Sequence, residues 1–369
     1  PVLQALRAAG CRWISEPEFA FRFLKGPLIA VTGTNGKTTA AAMTARLLVE
    51  DGLVVGLGGT IGSDFGPPAS GLALMDPVPD WFVVEVSSFQ LADVVDFSPS
   101  IGIVTNLAPD HLDRYPTLEA YYSDKARLFR NATPDSTWVL NGDLPEVEEL
   151  AGDAPGRRFR FSTQDTGTSN AYLHDGQLFL RISGGEIENL LPVGDLGVLG
   201  LHNASNALAA SLTARLAGVS RASIAAGLRQ FKPLPHRMEL VGDREGRSWI
   251  NDSKATNVAA TSGALQSLEG PMVLLLGGKD KGEDLEPLRT AVHSGVRRVI
   301  LFGEARSRMA AALAASVPLA VVDGSFEDAV TTALELSEEG DLLLLSPACS
   351  SFDMFQNYVE RGLRFSALA

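Results

Sequence analysis

Ala30-Val31-Thr32-Gly33-Thr34-Asn35-Gly36-Lys37-Thr38-Thr39 is the stretch whose reading decides the fold. The apolar run Pro27 to Val31 before it reads as a buried strand. Ala40 to Leu48 after it has helix-forming composition. A strand, a glycine-containing turn, Lys-Thr and a helix together form a cradle for phosphate. Small residues let backbone N–H groups approach the oxygens, and the helix start adds partial positive charge. Lys37 is placed to reach the β- and γ-phosphates, and the Thr38 hydroxyl to sit on Mg²⁺. The common spacing of this motif needs glycine at position 31, where this chain has Val31, so the loop is a shorter variant.

Working outward, strands and helices alternate from Gly26, the pattern of a parallel sheet with crossover helices. Trp81-Phe82-Val83-Val84-Glu85 is a buried strand with an acidic residue near its C-terminal end. Ligand crevices in open α/β sheets lie at strand C-termini. Glu85 there suits a Mg²⁺ ligand beside Thr38, the alternative being a structural ion pair. Ile101 to Asn106 is a further strand, and the loop after it carries His111, which by itself reads as a plain polar loop residue. Lys125, on the helix from Thr117 to Asn131, by itself reads as a solvated lysine.

Residues 151–200, rich in Gly, Ser and Thr with short alternating runs, read as a small β-subdomain with a tight turn at Asp175-Gly176. Asn203 and Asn206 open an Ala/Leu helix. Lys232-Pro233-Leu234-Pro235 is a stiff linker. A second α/β module follows, with helices expected from about 257, 285, 304, 325 and 352. Near the start, a helix over Val2–Ala9, a brief Arg12–Ile14 strand and a helix over Glu16–Leu24 are expected; they are too few residues to bury a core of their own. The expected division is 1–25 as the end of an N-terminal domain, 26–232 as the central domain and 233–369 as the C-terminal domain.

The 369 residues carry a net charge of −13. That balance, without a basic cluster, argues against nucleic acid or an anionic membrane as a main partner. No apolar run approaches the roughly 20 residues of a membrane helix. Two cysteines, Cys11 and Cys349, are too few for a disulfide framework and fit a reducing cytosol. A cytoplasmic monomer is the expectation.

Read together, the phosphate loop, Glu85-Val86-Ser87-Ser88-Phe89-Gln90-Leu91, Asn106 to Tyr115, Leu234 to Glu239, Asn251-Asp252-Ser253-Lys254-Ala255-Thr256-Asn257 and Ser346 to Asp353 resemble the Mur ligase family. The resemblance covers residues 26 to 369. The first motif marks the wider superfamily, which includes folylpolyglutamate synthases. The Ser-Ser-Phe-Gln-Leu, Asn-Asp-Ser-Lys-Ala-Thr-Asn and Ser-Pro-Ala-Cys runs point to the member that adds D-glutamate.

The resemblance implies an ATP-dependent amide ligase of peptidoglycan precursor synthesis. It would join D-glutamate to UDP-N-acetylmuramoyl-L-alanine through an acyl phosphate, with two Mg²⁺ ions. It implies that Gly33, Thr34, Asn35, Gly36, Lys37, Thr38 and Thr39 cradle ATP, with Asn203, Asn206, Arg237 and Asp252 also on the nucleotide. Thr38, Glu85 and His111 would serve the metal, together with Lys125 as a carbamate. Lys37, His111, Lys125 and Lys254 would be catalytic. Thr60, Ser87, His236, Thr256, Lys281, Ser351, Phe352 and Tyr358 would surround the substrates. Thr60 stands where the family often has Asn, and Tyr358 where it often has Phe. The linker would be a hinge. Other readings are a different ligase of the superfamily, a nucleotide-binding module without turnover, and a general ATPase.

Overall fold

The computed structural model describes all residues except 1–4, 7, 12, 63–64, 112–113, 183–185, 269 and 293–294. The expected Val2–Ala9 helix and Arg12–Ile14 strand fall partly outside the described residues; Trp13 and Ile14 are not in a strand. The chain forms two compact units. Pro1–Leu107, Glu119–Leu196 and Ala204–Phe231 make the first; Ala108–Leu118, Gly197–Asn203 and Lys232–Ala369 make the second.

In the first unit nine strands form one sheet: β1 (Leu28–Thr32), β2 (Val55–Gly59), β3 (Trp81–Glu85), β4 (Ile101–Val104), β5 (Thr137–Asn141), β6 (Arg157–Ser162), β7 (Ala171–His174), β8 (Gln177–Arg181) and β9 (Ile187–Pro192). Their order is β2-β3-β1-β4-β5-β6-β7-β8-β9. Pairing is parallel from β2 to β7 and antiparallel across β7-β8-β9. The strands of the 151–200 stretch therefore extend the large sheet instead of forming a sheet of their own. Asp175 (φ 46°) and Gly176 (φ 71°) make the expected tight turn between β7 and β8. The helix Pro145–Ala151 has no counterpart in the sequence reading. Its start is marked by Pro145 and by Glu146 and Glu148 in the first turn, which favour a helix N-terminus.

All five residues of β1 are buried, as are all four of β4. A strand covered by helices on both faces loses its apolar–polar alternation, which is why these runs read as continuously apolar. Phe82, Val84, Val104, Leu128, Trp138 and Leu140 share one core cluster.

The second unit carries β10 (Glu239–Arg244), β11 (Arg247–Asn251), β12 (Met272–Gly277), β13 (Val296–Phe302), β14 (Leu319–Val321) and β15 (Leu342–Leu345). Their order is β10-β11-β15-β12-β13-β14, with β10 antiparallel and the rest parallel. Successive side chains alternate faces. Leu274, Leu276 and Leu344 enter one core, and Val273, Leu275 and Leu343 enter the other. The last helix begins at Tyr358, not near 352. The Asn357 side chain accepts from the Glu360 N–H at 3.0 Å and caps it there.

Candidate active site

The phosphate loop is held from beneath by the end of β4. The Asn106 carbonyl accepts from the Thr34 N–H at 2.9 Å, and the Asn106 side-chain oxygen accepts from the Asn35 N–H at 2.9 Å. Asn106 Nδ2 returns a hydrogen bond to the Asn35 carbonyl, and Thr105 Oγ1 donates to the same oxygen at 2.6 Å. Two glycines make this closeness possible. Gly33 (φ 139°) lies against Thr105, where a Cβ would overlap the hydroxyl. Gly36 (φ 78°) lies against the Asn206 amide in the same way. Gly36 is also the N-cap residue of the helix Lys37–Glu50.

Four of the sequence-designated residues, Lys37, Thr38, Glu85 and Lys125, gather on this loop. Lys37 Nζ donates to the Thr34 carbonyl at 2.8 Å. Thr38 Oγ1 donates to Glu85 Oε2 at 2.8 Å, and both residues are buried. Lys125 is 1% exposed and donates to the Gly33 carbonyl at 2.6 Å. The reading of Lys125 as a solvated lysine therefore fails: its helix turns that face inward, and its ammonium lies 4.5 Å from the centroid of the Tyr121 ring. Tyr121, which the sequence reading passed over, also bonds Thr34 through its hydroxyl at 3.3 Å. Its spacing of one helical turn from Lys125 was the available signal.

The Thr38–Glu85 pair offers two hard oxygen donors. Magnesium is characteristically held by one or two carboxylates plus the phosphates and waters of its substrate, so this pair fits the ion. Among the described residues no group of three or more His, Cys, Asp or Glu is placed to hold a metal. At the end of β3, Ser87 caps a short helix through a reciprocal box with Gln90. Thr60 Oγ1 donates to Gln90 Oε1, which also accepts from the Ser87 N–H at 3.0 Å. Thr39 is buried in the first turn of the Lys37–Glu50 helix.

His111 belongs to the second unit, in the left-handed region (φ 55°), beside the Asp110 carboxylate. Asp110 accepts from Lys281 Nζ at 3.0 Å and from Asn257 Nδ2 at 3.0 Å. Burial works to raise its pKa. The positive charge of Lys281, then His111 and the hydrogen bonds, outweigh burial and bring it to about 2. Glu283 lies in the same neighbourhood and accepts from the Val258 N–H at 2.9 Å. Burial raises it to about 7. The Asn203 amide donates to the Leu199 carbonyl at 2.7 Å. Thr256 stands half-buried just before Asn257, the cap of the helix Val258–Ser267.

A second cluster surrounds Asp252. Its carboxyl accepts from Ser346 Oγ at 2.8 Å and from the Met238 N–H at 3.2 Å. Burial nonetheless raises it to about 7, against the pull of these bonds and of Arg237 and Arg361. His236 is buried, with Asn251 Nδ2 3.0 Å from its Nδ1. Ser351 is buried while Phe352 is 66% exposed. Cys349, also buried, is pushed up to about 12, chiefly by desolvation.

A pH effect follows from Asp252. Its folded pKa lies above the ordinary 3.8, so the native state keeps a proton that the unfolded chain has released. That contribution is whole below about pH 4 and is lost as pH rises through 7. Asp252→Asn removes it. Between pH 5 and 7, the stability difference between wild type and variant should change by about 1.4 kcal/mol per pH unit. Urea unfolding at four pH values measures this, and parallel curves would refute it.

No helix among the described residues is long and apolar enough to cross a membrane. Two family models match. The Mur ligase middle domain aligns with residues 31–214, and the Mur ligase glutamate ligase domain with residues 236–349. The UDP-N-acetylmuramoylalanine–D-glutamate ligase of Acidobacterium capsulatum is 39% identical over 100% of this chain and 79% of its own. The enzyme of the same name from a Thermoanaerobacter species is 40% identical over 95% of this chain and 77% of its own. Among solved structures, MurF from Acinetobacter baumannii superposes with a TM-score of 0.71 at 16% identity, covering 96% of this chain and 79% of that one. The ADP complex of folylpolyglutamate synthase from Mycobacterium tuberculosis gives 0.69 at 18% identity, covering 98% of each. At such identities the likeness is one of fold. The two domain matches and the near-complete alignment with the bacterial ligases place this chain in the Mur ligase family.

Proposed function

We propose that the chain is an ATP-dependent ligase that joins D-glutamate to UDP-N-acetylmuramoyl-L-alanine, a step in making peptidoglycan precursors. The observation that carries this reading is the convergence of Lys37, the Thr38–Glu85 pair and Lys125 on one glycine-shaped loop. The 39–40% identity to ligases of that name supports the choice of substrates.

A carboxylate is a poor electrophile and does not react with an amine. The substrate's terminal carboxylate oxygen attacks the γ-phosphorus of ATP, and ADP leaves. The resulting acyl phosphate has a good leaving group. The D-glutamate amine then attacks the carbonyl carbon, loses a proton, and phosphate departs as the amide forms. Gathering triphosphate and carboxylate demands positive charge at the moment of phosphoryl transfer. The loop N–H groups and Lys37 supply it to the β- and γ-oxygens. Thr38 and Glu85 would hold Mg²⁺, which neutralises charge on the transferring group. Lys125, as a carbamate, would hold a second Mg²⁺, with His111 as a further ligand. Thr39, Asn203, Asn206, Arg237 and Asp252 serve the nucleotide in this reading, and Thr60 and Ser87 the nucleotide sugar. Lys254, Thr256, Lys281 and Ser351 receive the amino acid and the acyl phosphate. The Asp110–Lys281 pair illustrates the fit, since a carboxylate already lies 3.0 Å from that ammonium.

Phosphate release from ATP, measured with UDP-N-acetylmuramoyl-L-alanine and a panel of amino acids, tests the proposal. Release should require both the nucleotide sugar and D-glutamate. Release that needs only ATP would indicate a general ATPase. Release driven by L-glutamate and a folate would indicate the other branch of the superfamily.

A further inference from the structure

The loop after β12 carries two side chains of opposite charge, Lys281 and Glu283, and it is firmly held. Arg308 donates through Nε and Nη2 to the Asp280 carboxylate at 2.6 and 2.8 Å, and through Nη1 to the Glu283 carbonyl at 2.9 Å. The Lys279 N–H donates to the Ser350 carbonyl at 2.8 Å. From this braced loop both side chains reach toward the start of the helix Val258–Ser267. Glu283 Oε2 accepts from the Val258 N–H. Lys281 donates to one oxygen of Asp110, whose other oxygen accepts from Asn257, the residue just before Val258. Two carboxylates are thus fastened to consecutive residues of one helix start, and the Lys281 charge acts on both.

The two carboxylates are not alike. Asp110 has a donor for each oxygen and is held ionised. Glu283 is 8% exposed, and among the described residues its buried Oε1 has no hydrogen-bond partner. A buried carboxylate oxygen without a donor disfavours the charged form. Desolvation brings Glu283 to about 7 and the Asp110 charge adds to the rise, while the Val258 N–H, Lys281 and Arg308 pull the other way. The Cys349 thiol, itself pushed up by burial, also faces this cluster. Glu283 therefore changes charge near neutral pH.

We propose that Glu283 controls how strongly the Lys281 ammonium receives an anionic amino acid. Protonated, Glu283 leaves the Lys281 charge to Asp110 and the incoming carboxylate. Ionised, it adds a second negative charge beside that ammonium and weakens the pull on the substrate. Glu283 acts through Lys281 and is a positioning residue. The inference rests on the role given above to Lys281.

The test uses the full chain, with its glutamates ¹³C-labelled at the side-chain carboxyl. One resonance should titrate with a midpoint of about 7 and be missing in Glu283→Gln. The glutamine oxygen can still accept from the Val258 N–H, so the helix start keeps its bond. In kinetics, the D-glutamate KM of wild type divided by that of Glu283→Gln should rise about fivefold from pH 6 to 8.5, with the same ratio for ATP constant within twofold. Taking the ratio cancels the titration of the amino acid's own amine. A wild-type spectrum in which no glutamate carboxyl titrates between pH 6 and 8 overturns the inference, and that result needs no variant to fold. So does a titrating resonance that survives in Glu283→Gln. A D-glutamate ratio that stays flat overturns it too and leaves Glu283 as a helix cap alone, as does a ratio that moves equally for ATP. If wild type ligates a different amino acid, the functional reading fails; the carboxyl titration still judges Glu283, and the kinetic arm is repeated with that amino acid.

Discussion

Lys37→Ala should lower kcat/KM for ligation by about a thousandfold, the size expected when a charge aimed at developing oxyanion charge is removed. The effect should be one of chemistry and not of folding. Lys37 is half-buried and donates to a neutral carbonyl of its own loop, that of Thr34. Exchanging that carbonyl for phosphate oxygens replaces a neutral acceptor with a charged one, which is a stronger bond for the same ammonium. The loop itself is braced by Asn106 and Thr105, which the substitution leaves untouched. Unfolding midpoints should therefore shift by less than about 0.5 kcal/mol equivalent, as for changes away from buried networks. Lys37→Arg should fail to restore activity, because a planar guanidinium does not fit a point-charge site. Phosphate-release kinetics beside urea titrations check both halves. Activity within tenfold of wild type would remove Lys37 from the reaction.

The second large effect concerns Lys125. Lys125 is buried, donates to the Gly33 carbonyl and lies over the Tyr121 ring face, at the loop that would cradle the phosphates. The carbamate proposed above would form in a specific way. The amine nitrogen bonds to the carbon of CO₂ and loses protons, leaving one N–H and an anionic carboxylate. The N–H can keep the Gly33 bond while the oxygens turn toward a cation. The modified protein, incubated with ¹³C-bicarbonate and Mg²⁺, should show a carbamate carbon resonance that is absent in Lys125→Ala. Ligation by that variant should fall about a thousandfold. A wild-type spectrum without the resonance, under conditions where ligation proceeds, would exclude the carbamate.

How much of this was legible beforehand depended on whether the signal was local. The phosphate loop was readable because its demands are local: two glycines with positive φ, then lysine at a helix start. Glu85 was readable because a carboxylate inside an apolar strand is an anomaly that needs a reason. Lys125 was readable only by resemblance, since nothing in its own helix shows which face turns inward; that is decided by packing against the loop 92 residues away. Thr105 escaped notice because a threonine at a strand end is ordinary, and its importance comes from how closely Gly33 approaches it. The junction at 351–357 misled because its residues could pass for a helix, and only Asn357 sets the start. The strands of 151–200 were foreseen, but their attachment to the large sheet is a long-range pairing that periodicity does not encode.

Cys349 has a consequence for how this protein can be addressed chemically. Its neighbours Ser346 and Ser351 belong to a motif that an inhibitor designer would target, and a thiol there invites an acrylamide or a chloroacetamide. Thiolate is the reactive form, and with the acidity of Cys349 pushed to about 12 almost none exists at neutral pH. The thiol is also enclosed, while Cys11 is exposed. An electrophilic warhead aimed at the motif would therefore mark the wrong cysteine, and reversible ligands that read Lys254 and Lys281 are the better starting chemistry.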